Sequence, residues 1–219
     1  DMEALATAVE RHRGTLVAVL FTHSHSDHLA DMSLLKEAFE VPVWGSEYTS
    51  RSVHCERILE DGERLVLGAQ EWTVLITPGH HPGHICLLSE AGLVAGDMLA
   101  GIGTILVPPH TGDMNEYIQQ LERIKALNPH LIFPSHGPVV AIPDRLIDHY
   151  ITHRLARHER VLNAVRKGLG RVELIARDAY EDTPDAHPGL AVDQTLSHLL
   201  AHQATGAVKA EGADWSVVE

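Results

Sequence analysis

The amino-acid sequence predicts an α/β sandwich with parallel strand segments, followed by a small α+β appendage. Three observations lead there. Short apolar runs of strand length alternate with amphipathic helical periods through residues 1–143, the pattern of a layered α/β fold. Side chains able to hold a metal recur directly after those apolar runs, where such a sheet gathers its site. Beyond residue 143 the order becomes helix, helix, helix, hairpin. The division is therefore expected at 1–143 and 144–219.

Residues 1–13 carry Leu5, Ala8, Val9 and His12 at helical spacing, with Gly14 as the stop. The unbroken apolar run 16–21 reads as a strand buried on both faces. The polar burst 22–28 follows, then a second amphipathic helix through about Phe39. Val41 to Trp44 is a short strand. Leu65–Leu67 and Trp72–Ile76 are strands joined by a tight turn, and Asp61-Gly62 marks an earlier turn. His84–Leu88 and Leu93–Ala95 are strands around Gly92. A helix over 113–127 has Asp113 as its N-cap, and Leu131–Phe133 returns to strand. Pro143 starts a long helix that runs to about Lys167 and stops at Gly168. Helices over 172–180 and 190–204 and a hairpin turning at Glu211-Gly212 complete the order of a winged helix.

Composition narrows the class. At 219 residues and 24.0 kDa, with 44% hydrophobic residues, the chain can bury a genuine core. No apolar run approaches the ~18 residues of a membrane span. Two cysteines, Cys55 and Cys86, exclude a disulfide scaffold and fit a reducing compartment, so a cytoplasmic location is expected. A net charge of −13 disfavours a protein that coats nucleic acid through its bulk field. Histidine is the outlier: 17 residues, clustered, with no tag-like tract.

The densest cluster is Thr22-His23-Ser24-His25-Ser26-Asp27-His28. In extended backbone, side chains two apart point the same way, so His23 and His25 can converge on one ion. Asp27 and His28, where the chain enters the next helix, can aim at a second ion. Imidazole and carboxylate are the ligands that borderline metals such as zinc take. A random occurrence of this pattern in a chain of this composition has a probability of roughly 0.006. Three further pieces follow strand ends: His80 in Thr77-Pro78-Gly79-His80-His81-Pro82-Gly83-His84, Asp97 in Gly96-Asp97, and His136 in Pro134-Ser135-His136-Gly137-Pro138.

Together these motifs resemble the metallo-β-lactamase superfamily of αββα metallo-hydrolases. The resemblance implies that His23, His25 and His80 hold one metal, that Asp27, His28 and His136 hold the other, and that Asp97 bridges them. Two divalent ions, zinc foremost, are the implied cofactors. Downstream, Gly96-Asp97-Met98-Leu99-Ala100-Gly101-Ile102-Gly103-Thr104, Asp113-Met114-Asn115-Glu116-Tyr117 and Tyr150-Ile151-Thr152-His153-Arg154 are similar to the β-lactamase-like 2 proteins, including their C-terminal winged helix. Some members of that family cleave single-stranded RNA with a metal, and many bacterial relatives have no established substrate.

The chain also departs from the family pattern. Only 22 residues precede His23, so it reads as an N-terminal truncation that lacks strands of the sandwich and exposes strand edges. Ala30-Asp31 stands where relatives often carry glycines. His81 stands where threonine is usual, and it is expected to face solvent.

A metal-activated hydroxide is the implied nucleophile, with Asp27 orienting it or taking its proton and His84 as a nearby donor or a packed strand-start residue. The expected substrates are single-stranded RNA or a small thioester, lactone or related ester, since one such site serves both chemistries. A binding module with an inactive hydrolase half is the third reading. Residues 145–219 carry a net −2 against −11 for 1–144. Arg154, Arg157, Arg160, Arg166, Lys167 and Arg171 could track a phosphate backbone or form a solvated face. His153 and Arg154 share a helix face with Tyr150, directed either at the site or at the first domain. The third helix of the appendage has no Lys or Arg across Gln194–Leu200, so sequence-specific reading of duplex DNA is not expected.

Overall fold

The computed structural model describes residues 2–12, 14–29 and 32–218. In chain order they form α1 (Met2–His12), β1 (Val19–Leu20), α2 (Met32–Ala38), β2 (Val43–Gly45), a 3-10 turn (Thr49–Arg51), β3 (Arg57–Ile58), β4 (Arg64–Leu67), β5 (Gln70–Ile76), β6 (Ile85–Ser89) and β7 (Gly92–Gly96). They continue with α3 (Met114–Leu127), β8 (Ile132–Pro134), α4 (Pro143–Arg166), α5 (Val172–Ala179), α6 (Pro188–Ala204), β9 (Val208–Glu211) and β10 (Asp214–Val217). Among these residues no helix is long and apolar enough to cross a membrane. The chain packs as two compact units: Asp1–Ile76 with Gly83–Glu90, and Thr77–Pro82 with Ala91–Glu219.

In the first unit, β1, β2 and β3 form a parallel sheet in that order, and β4, β5 and β6 an antiparallel meander. Leu59, Leu65, Val74 and Ile85 are buried together, with Leu20, Trp44 and Leu87 packed on them. The run 16–21 departs from the sequence expectation. Only Val19 and Leu20 are strand, both half-buried, and Val17 is 55% exposed. Among the described residues β1 pairs with β2 alone, and its two side chains are half-buried where both faces were expected to be covered. β3 and the 3-10 turn were not expected. Two residues flanked by charge carry no alternation, and β3 exists through its pairing with Trp44 and Gly45. Ala30-Asp31, where glycines were expected, lies outside the described residues.

In the second unit, β7 and β8 pair in parallel. α3 begins where Asp113 accepts from the amides of Asn115 and Glu116 at 2.8 and 3.0 Å, so the expected cap is present. α4 packs on α3, α5 and α6. Val161, Val165, Ile175, Ala179, Leu199 and Val208 join α4, α5, α6 and the β9–β10 hairpin in one apolar cluster. The order of three helices and a hairpin is thus present as a C-terminal helical region.

Three histidines meet where α4 and α6 pack. His158 Nδ1 lies 3.1 Å from His198 Nδ1, and the His158 and His202 rings stack at 3.5 Å. Burial, then the neighbouring His202, pulls the His158 pKa down to about 4. Burial also lowers His198 and His202, with Arg154 adding to the effect at His198. The folded state therefore binds fewer protons than the unfolded chain, whose imidazoles titrate near 6.5. This contribution is complete above about pH 6.5 and is lost as pH falls toward 4. Urea midpoints measured from pH 7.5 to 4.5 should fall through that window, and His198→Leu should flatten the fall. An equally steep slope in the variant would contradict this account.

Candidate metal centre

In the first unit the polar burst follows β1. The Thr22 carbonyl accepts the Ile85 amide at 2.7 Å, which ties the loop to the start of β6. His28 and Leu29 amides both bond the His25 carbonyl, so the chain turns back within Asp27-His28. His23 is fully buried, and its Nε2 lies 3.0 Å from His25 Nδ1, the convergence expected from their spacing. The His23 ring is centred 4.1 Å from that of His28. His28 Nε2 is 3.6 Å from Asp27 Oδ2, whose side chain is 60% exposed. His84, buried just before β6, has its ring 5.2 Å from that of His23. One unit thus gathers His23, His25, Asp27, His28 and His84 around a single loop.

The second unit gathers the other three. Asp97, at the end of β7, places Oδ2 3.5 Å from His80 Nε2 and Oδ1 3.4 Å from His136 Nε2. Each oxygen of one buried carboxylate therefore faces a different imidazole. His80 Nδ1 is 2.6 Å from the Leu106 carbonyl. A carbonyl only accepts, so Nδ1 carries a proton and Nε2 is the ring nitrogen turned toward Asp97. An imidazole nitrogen and a carboxylate oxygen 3.5 Å apart are spaced to share a cation, and the His and Asp groups of this structure have donor spacing suited to a metal ion.

Glycines decide how closely these loops approach. Gly79 has φ +128°, and a Cβ there would sit 2.3 Å from Tyr117 Cα. Its carbonyl accepts the Asp113 amide at 2.7 Å, which seats the His80 segment on the start of α3. Gly137 has φ +86°, and a Cβ there would lie 2.6 Å from the Ile102 amide. The same seating overturns the expectation for His81. It is buried, 4% exposed, because the whole Thr77–Pro82 segment is drawn inward with Gly79.

The C-terminal residues resolve two open readings. Tyr150 and Arg154 contact the segment after Asp97: the Ala100 amide donates to Tyr150 Oη at 3.1 Å, and Arg154 donates to Thr104 Oγ1 at 3.0 Å and to the Ile105 carbonyl. Arg157, Arg160, Arg166, Lys167 and Arg171 of the basic run each have a partner. Arg157 is buried and bonds the Ala179 carbonyl and Asp182. Arg160 pairs with Asp182, Arg166 with Glu159, Lys167 with Asp178 and Arg171 with Glu173. Gln194 and Ser197, unremarked in the sequence, bond the Val107 carbonyl from α6 at 2.8 and 2.6 Å. Their signal was two polar residues at i and i+3 on the buried face of a helix.

Residues 1–136 match the profile of the Metallo-beta-lactamase superfamily. The chain belongs to this superfamily. Its relatives include Beta-lactamase-like protein 2 homologs of Caenorhabditis elegans, 24% identical over 84% of this chain and 63% of that protein, and of Drosophila melanogaster, 28% over 94% and 74%. A Hydroxyacylglutathione hydrolase of Bdellovibrio bacteriovorus is 33% identical over 55% of this chain and 49% of that protein. The chain thus spans from about half to three quarters of the length of these relatives. The fold matches a metallo-beta-lactamase family protein of Thermus thermophilus at TM-score 0.78, covering 99% of this chain and 86% of that one at 19% identity. It also matches a protein solved in a di-iron-bound form, TM-score 0.55, 26% identity, covering 66% and 82%. The fold is therefore the α/β metallo-β-lactamase fold with a C-terminal helical region, a fold of metal-dependent hydrolases.

Gly79→Ala should strain a left-handed backbone, on the order of 1–3 kcal/mol, and drive the His80 segment off Tyr117. The expected readouts are a lowered melting temperature and a loss of bound metal by elemental analysis. An unchanged metal content at unchanged stability would contradict this seating.

Proposed function

We propose that the chain is a dinuclear metal hydrolase acting on a small thioester. The observation that carries it is the Asp97 carboxylate with an imidazole at each oxygen, a bridging donor set. In this reading His23, His25 and His80 would hold one ion, Asp27, His28 and His136 would hold the other, and Asp97 would serve both. Zinc is the ion assigned, on the mixture of imidazole and carboxylate. When bound, the pair supplies Lewis acidity that activates water near neutral pH and polarises the scissile carbonyl.

The protein residues do the rest. Asp27, exposed to solvent, orients the attacking water and accepts its proton. His84, buried beside His23, donates toward the site from the covered side. Water adds to the acyl carbon, the C–S bond breaks, and a carboxylate and a thiol leave. The thioester class is favoured by the Hydroxyacylglutathione hydrolases among the relatives, of Bdellovibrio bacteriovorus and of a Marinomonas strain at 32% identity over 59% of this chain. The alternative, single-stranded RNA, rests on the resemblance to the β-lactamase-like 2 proteins, while the basic run of α4 that could track a phosphate backbone is paired at Arg157, Arg160, Arg166 and Lys167 with groups of its own unit. We read 1–143 as the hydrolase portion and 144–219 as a winged-helix-like appendage. Cys55 and Cys86 are buried thiols, which supports a reducing, cytoplasmic setting.

A panel of acyl thioesters, with single-stranded RNA in parallel, tests this. Saturable thioester turnover should vanish on chelation, return with zinc or iron, and fall at least about 100-fold in Asp27→Asn. Cleavage of RNA alone would replace the substrate class. A fully metal-loaded chain inert on both would reject catalysis and leave the binding-module reading.

A further inference from the structure

Residues 98–107 form a strap that reaches every site residue of the second unit. It leaves directly from Asp97. Its Gly101 amide donates to the His136 carbonyl at 2.8 Å, and its Leu106 carbonyl accepts from His80 Nδ1 at 2.6 Å. The strap is in turn fastened by three helices. Tyr117 of α3 donates to the Met98 carbonyl at 2.8 Å, and Tyr150 of α4 donates to the Gly103 carbonyl at 3.3 Å. Val107 exchanges two hydrogen bonds with the Gln194 amide of α6, at 3.2 and 2.8 Å.

Arg154 stands at the junction of these fastenings. It is 2% exposed, and among the described residues no carboxylate pairs with it. Its guanidinium bonds Gln194 Oε1 at 3.0 Å, Thr104 Oγ1 at 3.0 Å and the Ile105 carbonyl, and lies 5.4 Å from the centre of the Tyr117 ring. A buried cation held by neutral acceptors is costly to keep as packing alone. Its fork joins α4 and α6 to the two residues just before Leu106, a geometry that lysine cannot reproduce.

We propose that Arg154 is a positioning residue of the metal centre: by fixing Thr104 and Ile105 it fixes the Leu106 carbonyl, which sets the ring orientation and proton position of His80. The C-terminal helical region thereby acts on the site through the strap. Residues that orient a metal-bound imidazole typically alter metal affinity 10–100-fold when changed. The affinity consequence rests on the metal-hydrolase reading above; the effect on His80 does not.

The test labels histidine with 15N in the metal-free full chain at about pH 8, where imidazoles are neutral, with His80→Gln to identify the His80 signals. The parent should show His80 protonated on Nδ1. Arg154→Lys, folded by circular dichroism, should lose that single form and bind one of two zinc equivalents at least about 10-fold more weakly. A merely structural role would lower the melting temperature and leave the His80 tautomer unchanged. That outcome, or a parent His80 protonated on Nε2, overturns the proposal. If Arg154→Lys does not fold, Thr104→Val, which removes one acceptor, should shift His80 the same way, and an unchanged signal there overturns it equally. A parent that binds no zinc rejects the hydrolase reading, while the His80 signals still decide the role of Arg154.

Discussion

A carboxylate buried between two imidazoles is the constraint on which the second unit is organised. Asp97 is 5% exposed, with His80 at one oxygen and His136 at the other. In such surroundings a negative charge needs either donated protons or a cation. The Leu106 carbonyl accepts from His80 Nδ1, which turns Nε2 toward Asp97. What the arrangement offers is two carboxylate oxygens, each facing an imidazole nitrogen at 3.4–3.5 Å. The surrounding backbone serves to hold this small cluster.

The close approaches that hold it are made by backbone. Gly79 lies against Tyr117 with no room for a Cβ, and Gly101 and Gly137 lie equally close to Pro138 and Ile102. Loops that carry ligands usually move more than the elements they join. Here they are pinned to one another and to α3 by amide–carbonyl bonds of 2.7–2.8 Å, from Asp113 to Gly79 and from Gly101 to His136. The placement of His80 and His136 thus draws on α3 as much as on the strands that precede them.

Much of this was legible in the sequence because the signals were local. The spacing of His23 and His25 carried their convergence, Asp113 announced the start of α3, and Pro143 and Gly168 bracketed α4 within a residue or two. The failures were not local. The run 16–21 is apolar enough for a central strand, but whether a strand has one neighbour or two is decided by distant chain. His81 was expected in solvent because a second histidine in a polar turn reads as surface. Its burial follows from Gly79 docking on a tyrosine 38 positions later. The basic run of α4 was open to a phosphate-tracking or a solvated reading. Arg160, Arg166 and Lys167 are solvent-exposed, and two of their partners, Asp178 and Asp182, lie in and beyond α5, where spacing along one helix cannot show them.

That last case bears on how an appended helical region can matter to chemistry it does not perform. A stripe of free cations would have made residues 144–219 a substrate-binding arm. Arg160, Arg166 and Lys167 pair instead with carboxylates of the same unit, and the buried side chains of Arg154, Gln194 and Ser197 converge on the segment 104–107. Burying a guanidinium, an amide and a hydroxyl at one helix junction is unfavourable unless each finds acceptors. The acceptors it finds are Thr104, Ile105 and Val107, on either side of the one carbonyl that sets His80. The polar junction of α4 and α6 and the His80 side chain are therefore joined through the segment 104–107 by hydrogen bonds rather than by proximity alone.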